Sequence, residues 1–518
     1  MTGTKAGRAA GETSTRGSGG SGKTSGSGKA SAPGSGKAPA KKASGKAPAS
    51  APARKASGKA PASGSRDSAR EPASRFVRYT VVGGLVLALL AGCGAITAGV
   101  LAGEGHLPGD SMREVWSAGR EDARSESGNG AWAVGDTLVS SRSHGVTGFD
   151  ARTGARRWSY TPSGSAAICS VSRAAEDGVA LVAQGTPGTP DDESVAAGLG
   201  CATVVALDLR DGRELWRAAR TPDGGEIRDE KDVVAVGGGL AVVRDEDAYW
   251  PYAWSGDGAG ERAGYVRPDR ALRALDLRTG KPRWTAAMPK GCVPYGVAAA
   301  RRQVLALVVC ERKDIRLAAF DPADGRHRWT TELSRDRVVE PIANESAFLS
   351  ADPAVVSVDG LDLRGYPTVL SFSADGRAQG RIASGGDIDY LATDAPAQAL
   401  VAYGRLYAVE AMFHDTISAF DLRTGQRLWR AKLERREDVL ALRVAGGRVT
   451  ALVDLYASKG EDGLLVLDAD TGEERDLRTF PDSVGASFGE ITDLFGHDGR
   501  LIPARGAGFR PFSAYEER

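Results

Sequence analysis

ALDLRTGKPRW, from Ala274 to Trp284, joins the end of one apolar strand to the start of another through an Asp-Leu-Arg-Thr-Gly turn. The Asp carboxylate can accept backbone N–H bonds inside such a turn, and the Gly supplies the positive φ that closes a tight hairpin. The pattern recurs as GFDARTGARRW (Gly148 to Trp158), ALDLRDGRELW (Ala206 to Trp216), AFDPADGRHRW (Ala319 to Trp329) and AFDLRTGQRLW (Ala419 to Trp429). Two weaker copies, SFSADGRAQGR (Ser371 to Arg381) and VLDADTGEERD (Val466 to Asp476), lack the Trp, and the first also lacks the leading Asp. The turn glycines Gly154, Gly212, Gly280, Gly325, Gly376, Gly425 and Gly472 are 58, 68, 45, 51, 49 and 47 residues apart. That is the spacing of four-stranded propeller blades. Short strands with period-two alternation, such as Leu240 to Val243 and Leu305 to Val309, precede the turns.

These repeats resemble the pyrroloquinoline-quinone-type propeller repeat, found in quinoprotein dehydrogenases and in the propeller lipoprotein of the outer-membrane assembly machinery. The resemblance covers residues 112 to 518, and the Ala-, Gly- and Arg-rich composition looks like that of an actinomycete-type bacterium. It implies that the repeat tryptophans Trp158, Trp216, Trp284, Trp329 and Trp429 pack between neighbouring blades as structural anchors. Trp116 joins them, because Arg113 to Ala118 aligns with Arg213 to Ala218, the outermost strand of a blade, with no blade before it. At the other end, Ile491 to Arg505 and Gly508 to Tyr515 read as the first strands of a blade that never reaches its own turn. Joining the two ends makes an eighth blade and removes the open edges of an unfinished ring. The expected fold is an all-β, eight-bladed propeller of four-stranded blades over residues 112–518, preceded by a disordered tail, a transmembrane helix and a linker over 104–111.

The balanced net charge of +1 conceals a split. Residues 1–78 carry 16 Lys or Arg against 3 Asp or Glu, a sum of +13 that leaves −12 for the rest. Thr2 to Ser74 contains no Val, Ile, Leu, Phe, Tyr, Trp or Met, so nothing there offsets the entropy of ordering, and the segment reads as disordered. Its GSGGSGKT (Gly17 to Thr24) matches a phosphate-loop pattern, but the flanks supply neither the strand nor the helix that such a loop needs. No nucleic-acid partner is expected. Tyr79 to Gly103 runs 25 residues without a charge, long enough at about 1.5 Å per residue to span a bilayer. Arg75, Arg78 and the basic tail precede it while Glu104 and Asp110 follow, which places the tail in the cytoplasm and the propeller outside as a single-pass membrane protein. A rival reading takes Leu90-Ala91-Gly92-Cys93 as a lipoprotein cleavage and acylation site; the apolar GAITAGVLAG that follows Cys93 speaks against it.

The four cysteines beyond the membrane, Cys169, Cys201, Cys292 and Cys310, sit where disulfides persist, and four allow three pairings. Cys292 and Cys310 lie symmetrically about Arg301, the turn of a hairpin from Val293 to Val309, which pairs them and leaves Cys169 with Cys201 around a long loop. Free buried thiols are the alternative. Resemblance to the quinone enzymes implies calcium ligands and often adjacent cysteines, but no adjacent Cys-Cys, C-x-x-C-H or H-E-x-x-H is present, and the histidines are scattered singly. No catalytic residue, cofactor or metal ligand is assigned. The acidic runs Asp191-Asp192-Glu193 and Asp245-Glu246-Asp247 read as solvated loops.

Insertions are the irregular feature. Gly185 to Gly200 and Asp247 to Arg270 connect the second and third strands of their blades, and Arg220 to Asp232 connects two blades. All three open on the face opposite the repeat turns, beside blades two and three. The Asp247 insertion carries Tyr249, Trp250, Tyr252, Trp254 and Tyr265 in a chain only 6% aromatic, a composition suited to protein contact or sugar stacking. A lid folded onto its own blade would use the same residues. The expected function is therefore a non-enzymatic, extracytoplasmic binding or scaffolding propeller, its partner an unknown protein or cell-envelope glycan. The alternatives are a quinone-dependent dehydrogenase and a lipid-anchored envelope assembly factor using Cys93.

Overall fold

Eight four-stranded antiparallel sheets make up the computed structural model, seven as the repeat turns predict and an eighth as the joined end segments predict. It describes residues 111–119, 128–164, 166–185, 201–220, 232–245, 272–310, 314–333, 347–358, 367–383, 390–393, 395–410, 414–433, 437–455, 461–480, 491–506, 508 and 510–517. The tail, the 79–103 apolar segment and the aromatic insertion lie outside these residues. Among the described residues no helix is long and apolar enough to cross a membrane. Blades 1 to 7 follow one another as residues 128–160, 167–219, 234–286, 292–332, 347–383, 399–432 and 437–479, each with its strands A to D in sequence order.

Blade 8 is the exception. Ile491–His497, Arg500–Arg505 and Ser513–Glu517 supply strands A to C, and Met112–Ser117, the first strand among the described residues, supplies strand D. Met112 pairs with Glu517 and Ser117 with Ser513, an Arg113–Glu516 ion pair bridges the two segments, and the Ser117 and Ser513 hydroxyls meet at 2.7 Å. Met112–Ser117 and the C-terminal strand are thereby held in one sheet, and the strand of Ser513–Glu517 has no open edge.

Strand B of blade 4, Val304–Cys310, shows why these strands read as unbroken apolar runs. Val304, Ala306 and Val308 pack toward blade 3 with Val242, Leu272 and Trp284, while Leu305, Leu307 and Val309 pack toward blade 5 with Phe348, Val356 and Phe372. A strand buried on both faces needs no polar alternation. Similar apolar clusters fill the other blade interfaces, including blade 8 against blade 1, where Phe149 meets Phe512 edge to face at 5.7 Å.

The repeat turn performs two tasks. Within its own blade, Asp276 Oδ1 accepts from Thr279 N at 3.0 Å and Thr279 Oγ1 at 2.8 Å, and Gly280 N donates to Asp276 O. Thr279 lowers the Asp276 pKa from the usual carboxylate value. At Asp150 burial raises the pKa, but bonds from Arg157, Thr153 and Arg152 outweigh it and bring the carboxyl down to about 2. Between blades, the turn glycine receives the preceding blade's tryptophan. A Cβ on Gly325 would lie 2.5 Å from the ring of Trp284, and Trp284 Nε1 donates to Pro322 O at 2.9 Å. Trp116, Trp158, Trp216, Trp329 and Trp429 stack in the same way on Gly154, Gly212, Gly280, Gly376 and Gly472. The ring leaves no room for a side chain, so this glycine is required for packing as well as for φ.

The two junctions without Trp have separate physical explanations. In blade 5 the place of the Trp falls to Gly380, one residue before Arg381, because the Ser373–Gly376 turn is a residue shorter. Backbone then approaches backbone, since a Cβ on Gly380 would lie 2.3 Å from Leu422 O, and the buried Ser371 hydroxyl donates to Leu422 O in the indole's stead. In blade 7, Asp476 stands opposite Val466 where Trp is expected. Blade 8 has no turn between strands C and D on which a Trp could rest, because that strand D is Met112–Ser117, which precedes blade 1 in the chain.

Candidate functional site

The A-to-B and C-to-D turns share one face of the ring, here the hairpin face. The B-to-C and D-to-A connections share the other, the loop face, and the three long connections of blades 2 and 3 belong to it: 186–200, 221–231 and 246–271. Their described roots form a braced platform. A Cys169–Cys201 disulfide ties the residue that ends the first connection to strand A of the same blade, in which Cys169 is the bulged residue between Ile168 and Ser170. Arg220, at the start of the second connection, is 3% exposed and donates from Nη1 to Cys201 O at 3.1 Å and from Nε to Arg244 O. The third connection is pinched at its neck. Asp245 and Arg273, on either side of it, form a two-point ion pair with Nη2 to Oδ1 at 2.8 Å, and Arg273 also donates to Ala219 O. Charge-assisted, forked contacts of this kind fix geometry more strongly than single neutral bonds.

Tyr249, Trp250, Tyr252, Trp254 and Tyr265 lie outside the described residues, within the connection that the Asp245–Arg273 pair closes. Cys292 and Cys310 are directly opposed across strands A and B of blade 4 and joined as a disulfide. Of the histidines, His327 shares a 2.6 Å contact with Thr330 Oγ1 and packs edge-on to Phe320, His414 sits in a loop at φ 51°, and His497 lies by Asp136 and Asp498 on the hairpin face. His144 is exposed at a turn of blade 1, and His106 lies outside the described residues. Asp245 is engaged by Arg273, whereas the acidic run 191–193 is outside them. Among the described residues no three His, Cys, Asp or Glu side chains converge so as to hold a metal ion. Both cysteine pairs join residues far apart in sequence, 32 and 18 positions, so neither is the adjacent pair that resemblance to the quinone enzymes implies.

Several charged groups that local sequence gives no reason to single out are buried or half-buried in the blades. Glu410, at the end of strand B in blade 6, is 1% exposed and accepts from Ser418 Oγ at 2.7 Å and Arg430 Nη2 at 2.8 Å. Asp493, in strand A of blade 8, is pushed by burial up to about 7. Burial and the facing Asp438 raise Asp454 in blade 7, its direct cross-strand partner. Arg220 and Arg273 were equally invisible, since only the return of distant strands brings them to Cys201, Arg244 and Asp245.

The family model described as outer membrane protein assembly factor BamB matches residues 146–386 and 367–498, more than half of the chain. No curated protein matches. Among solved structures, the computationally designed Ika8 protein is 12% identical with a TM-score of 0.47, covering 78% of this chain and 99% of its own. BamB from Moraxella catarrhalis is 15% identical with a TM-score of 0.43, covering 78% and 99%. The quinohemoprotein alcohol dehydrogenase from Comamonas testosteroni is 12% identical with a TM-score of 0.42, covering 78% and 76%. At such values no activity passes from these proteins to this chain.

Proposed function

We propose that this chain, which belongs to the pyrroloquinoline-quinone-like repeat propeller family of the assembly factor BamB, is a non-enzymatic binding or scaffolding module. It is displayed outside the cytoplasmic membrane by the 79–103 segment. The observation that supports this reading is the braced root on the loop face. A disulfide, the Arg220 clamp and the Asp245–Arg273 pair hold the ends of three long connections in fixed positions, and one of those connections carries five aromatic residues. Holding loop ends rigidly reduces the ordering entropy that a partner must overcome on binding. The repeat's own polar groups are committed elsewhere, the Asp to its turn and the Trp to the next blade, which leaves recognition to the insertions. The partner is a protein or glycan of the cell envelope that presents surfaces for aromatic stacking.

The test uses the full chain in detergent, immobilised and exposed to solubilised envelope protein and to purified wall glycan. Replacing Trp250, Tyr252 and Trp254 by Ala is expected to abolish retention of one of these while the melting temperature stays unchanged. Retention equal to that of the unaltered chain would remove the aromatic connection from the binding site.

A further inference from the structure

We infer that the hairpin face of blade 6 rests against the lipid bilayer that holds the chain's own anchor, with Tyr403 and Leu428 as its contact residues. The inference rests on the reading of residues 79–103 as a membrane segment. Its other observations are structural and concern only described residues.

The first is where the chain joins the ring. Strand D of blade 8 begins at Met112, opposite Glu517, and Glu114 pairs with Tyr515, which in turn pairs with Leu501 beside the A-to-B turn at Asp498-Gly499. Ser111 therefore precedes the strand at the hairpin-face end of blade 8. Only Glu104 to Asp110, seven residues, separate it from the apolar segment. Fully extended, seven residues reach about 25 Å. The rim of blade 8 thus stays within about that distance of the bilayer.

The second observation is a pair of exposed apolar side chains, both in blade 6. Among the described residues the large hydrophobic side chains that stand exposed are Tyr403, at 69%, and Leu428, at 45%. Tyr403 is the first residue of the A-to-B turn and has φ 52°. The same turn position is Gly135, Asp177, Gly238, Gly446 and Asp498 in blades 1, 2, 3, 7 and 8, all with positive φ. A bulky aromatic residue is disfavoured in that conformation, whereas Gly and Asp tolerate it. Leu428 occupies the strand-D bulge just before the interlocking Trp429. In blades 1, 3, 4 and 7 that bulge holds Arg157, Arg283, Arg328 and Arg475, each paired with its own turn aspartate; in blades 2 and 8 it holds Leu215 and Val115, both half-buried where Leu428 is exposed. Blade 6 therefore carries a leucine where four blades carry an arginine, and a tyrosine at a positive-φ turn position, and in both places presents apolar surface to the outside. Both positions belong to the hairpin-face end of blade 6, one blade removed from blade 8, whose strand D Ser111 precedes. Tyrosine is a residue enriched at the membrane–water interface, its ring among acyl chains and its hydroxyl at the headgroups.

The experiment labels the full chain in lipid nanodiscs of phosphatidylethanolamine and phosphatidylglycerol containing a headgroup-nitroxide lipid. Cys93→Ala removes the unpaired thiol, and Tyr403→Cys or Leu428→Cys receives an environment-sensitive fluorophore. His144→Cys, exposed on the loop face of blade 1, is the reference. The expected result is loss of about half of the fluorescence at 403 and 428 with no loss at 144. Equal quenching at all three positions, quenching at 144 alone, or none at 403 and 428 in chains that resist carbonate extraction would overturn the docking while leaving the anchor standing. Release of the chain by carbonate would overturn the anchor and the docking together.

Discussion

Substituting Gly325 by Ala separates the two tasks of the repeat turn. Gly325 has φ 73°, and a Cβ there would lie 2.5 Å from Trp284 Cε3. Gly447, in the A-to-B turn of blade 7, has the same φ of 73° but nothing within 4 Å of a Cβ. Gly447→Ala therefore suffers only the left-handed backbone penalty, about 1–2 kcal/mol. Gly325→Ala suffers that penalty and must also displace a buried indole, at about 1–3 kcal/mol for an overpacked core. It further weakens the Trp284 Nε1 bond to Pro322 O, about 1 kcal/mol more. The difference between the two variants should be about 2–4 kcal/mol. Urea unfolding of the purified chain, followed by tryptophan fluorescence, would show it as a lower midpoint for Gly325→Ala than for Gly447→Ala at unchanged slope. Coincident midpoints would mean that the indole yields at no cost, and the interlock between blades would lose its energetic basis.

Asp493→Asn should alter the pH dependence of stability. A carboxyl raised to about 7 in the folded chain from 3.8 stabilises the fold below pH 3.8 relative to its ionised form, and that stabilisation is lost as the pH rises through 7. The loss is of order 2–4 kcal/mol, so urea midpoints of the unaltered chain should fall between pH 5 and pH 8 more than those of the Asn variant; parallel profiles would contradict this. Deleting residues 112–117 leaves the strand Ser513–Glu517 with an open edge and should lower the melting temperature and cause concentration-dependent aggregation, whereas an unchanged melt would show that blade 8 does not need its fourth strand. Cys169→Ser with Cys201→Ser removes a cross-link of 32 residues' separation, worth about 3–4 kcal/mol by chain entropy; a melt equal to that of the unaltered chain would show that Arg220 and the Asp245–Arg273 pair suffice to brace the loop face.

The repeat made the ring legible because each blade writes its turn in adjacent letters. Asp276, Thr279 and Gly280 lie within five positions, so hydrogen bonding, φ and hairpin closure are all local. The closing strand was legible too, since Arg113 to Ala118 repeats the outer strand of blade 2 in sequence. What stayed hidden depends on meetings between distant residues. That Gly325 must be bare to admit Trp284 is a contact over 41 positions, and the exchange of indole for Ser371 at Leu422 requires knowing that the turn of blade 5 is one residue short. The candidate site divides likewise. Its insertions announce themselves by length and aromatic content, whereas the Arg220 clamp joins residues 19 and 24 positions away. Tyr403 carries no sequence flag at all until its φ is known.

The full chain titrated with pyrroloquinoline quinone and calcium tests the binding-module account most directly, because a ligand that binds the folded state raises its melting temperature in proportion to occupancy. The account predicts an unchanged melt and no reduction of an electron-accepting dye in the presence of alcohols or sugars. A melting temperature that climbs with quinone, together with dye reduction, would contradict it and assign this propeller to the dehydrogenases.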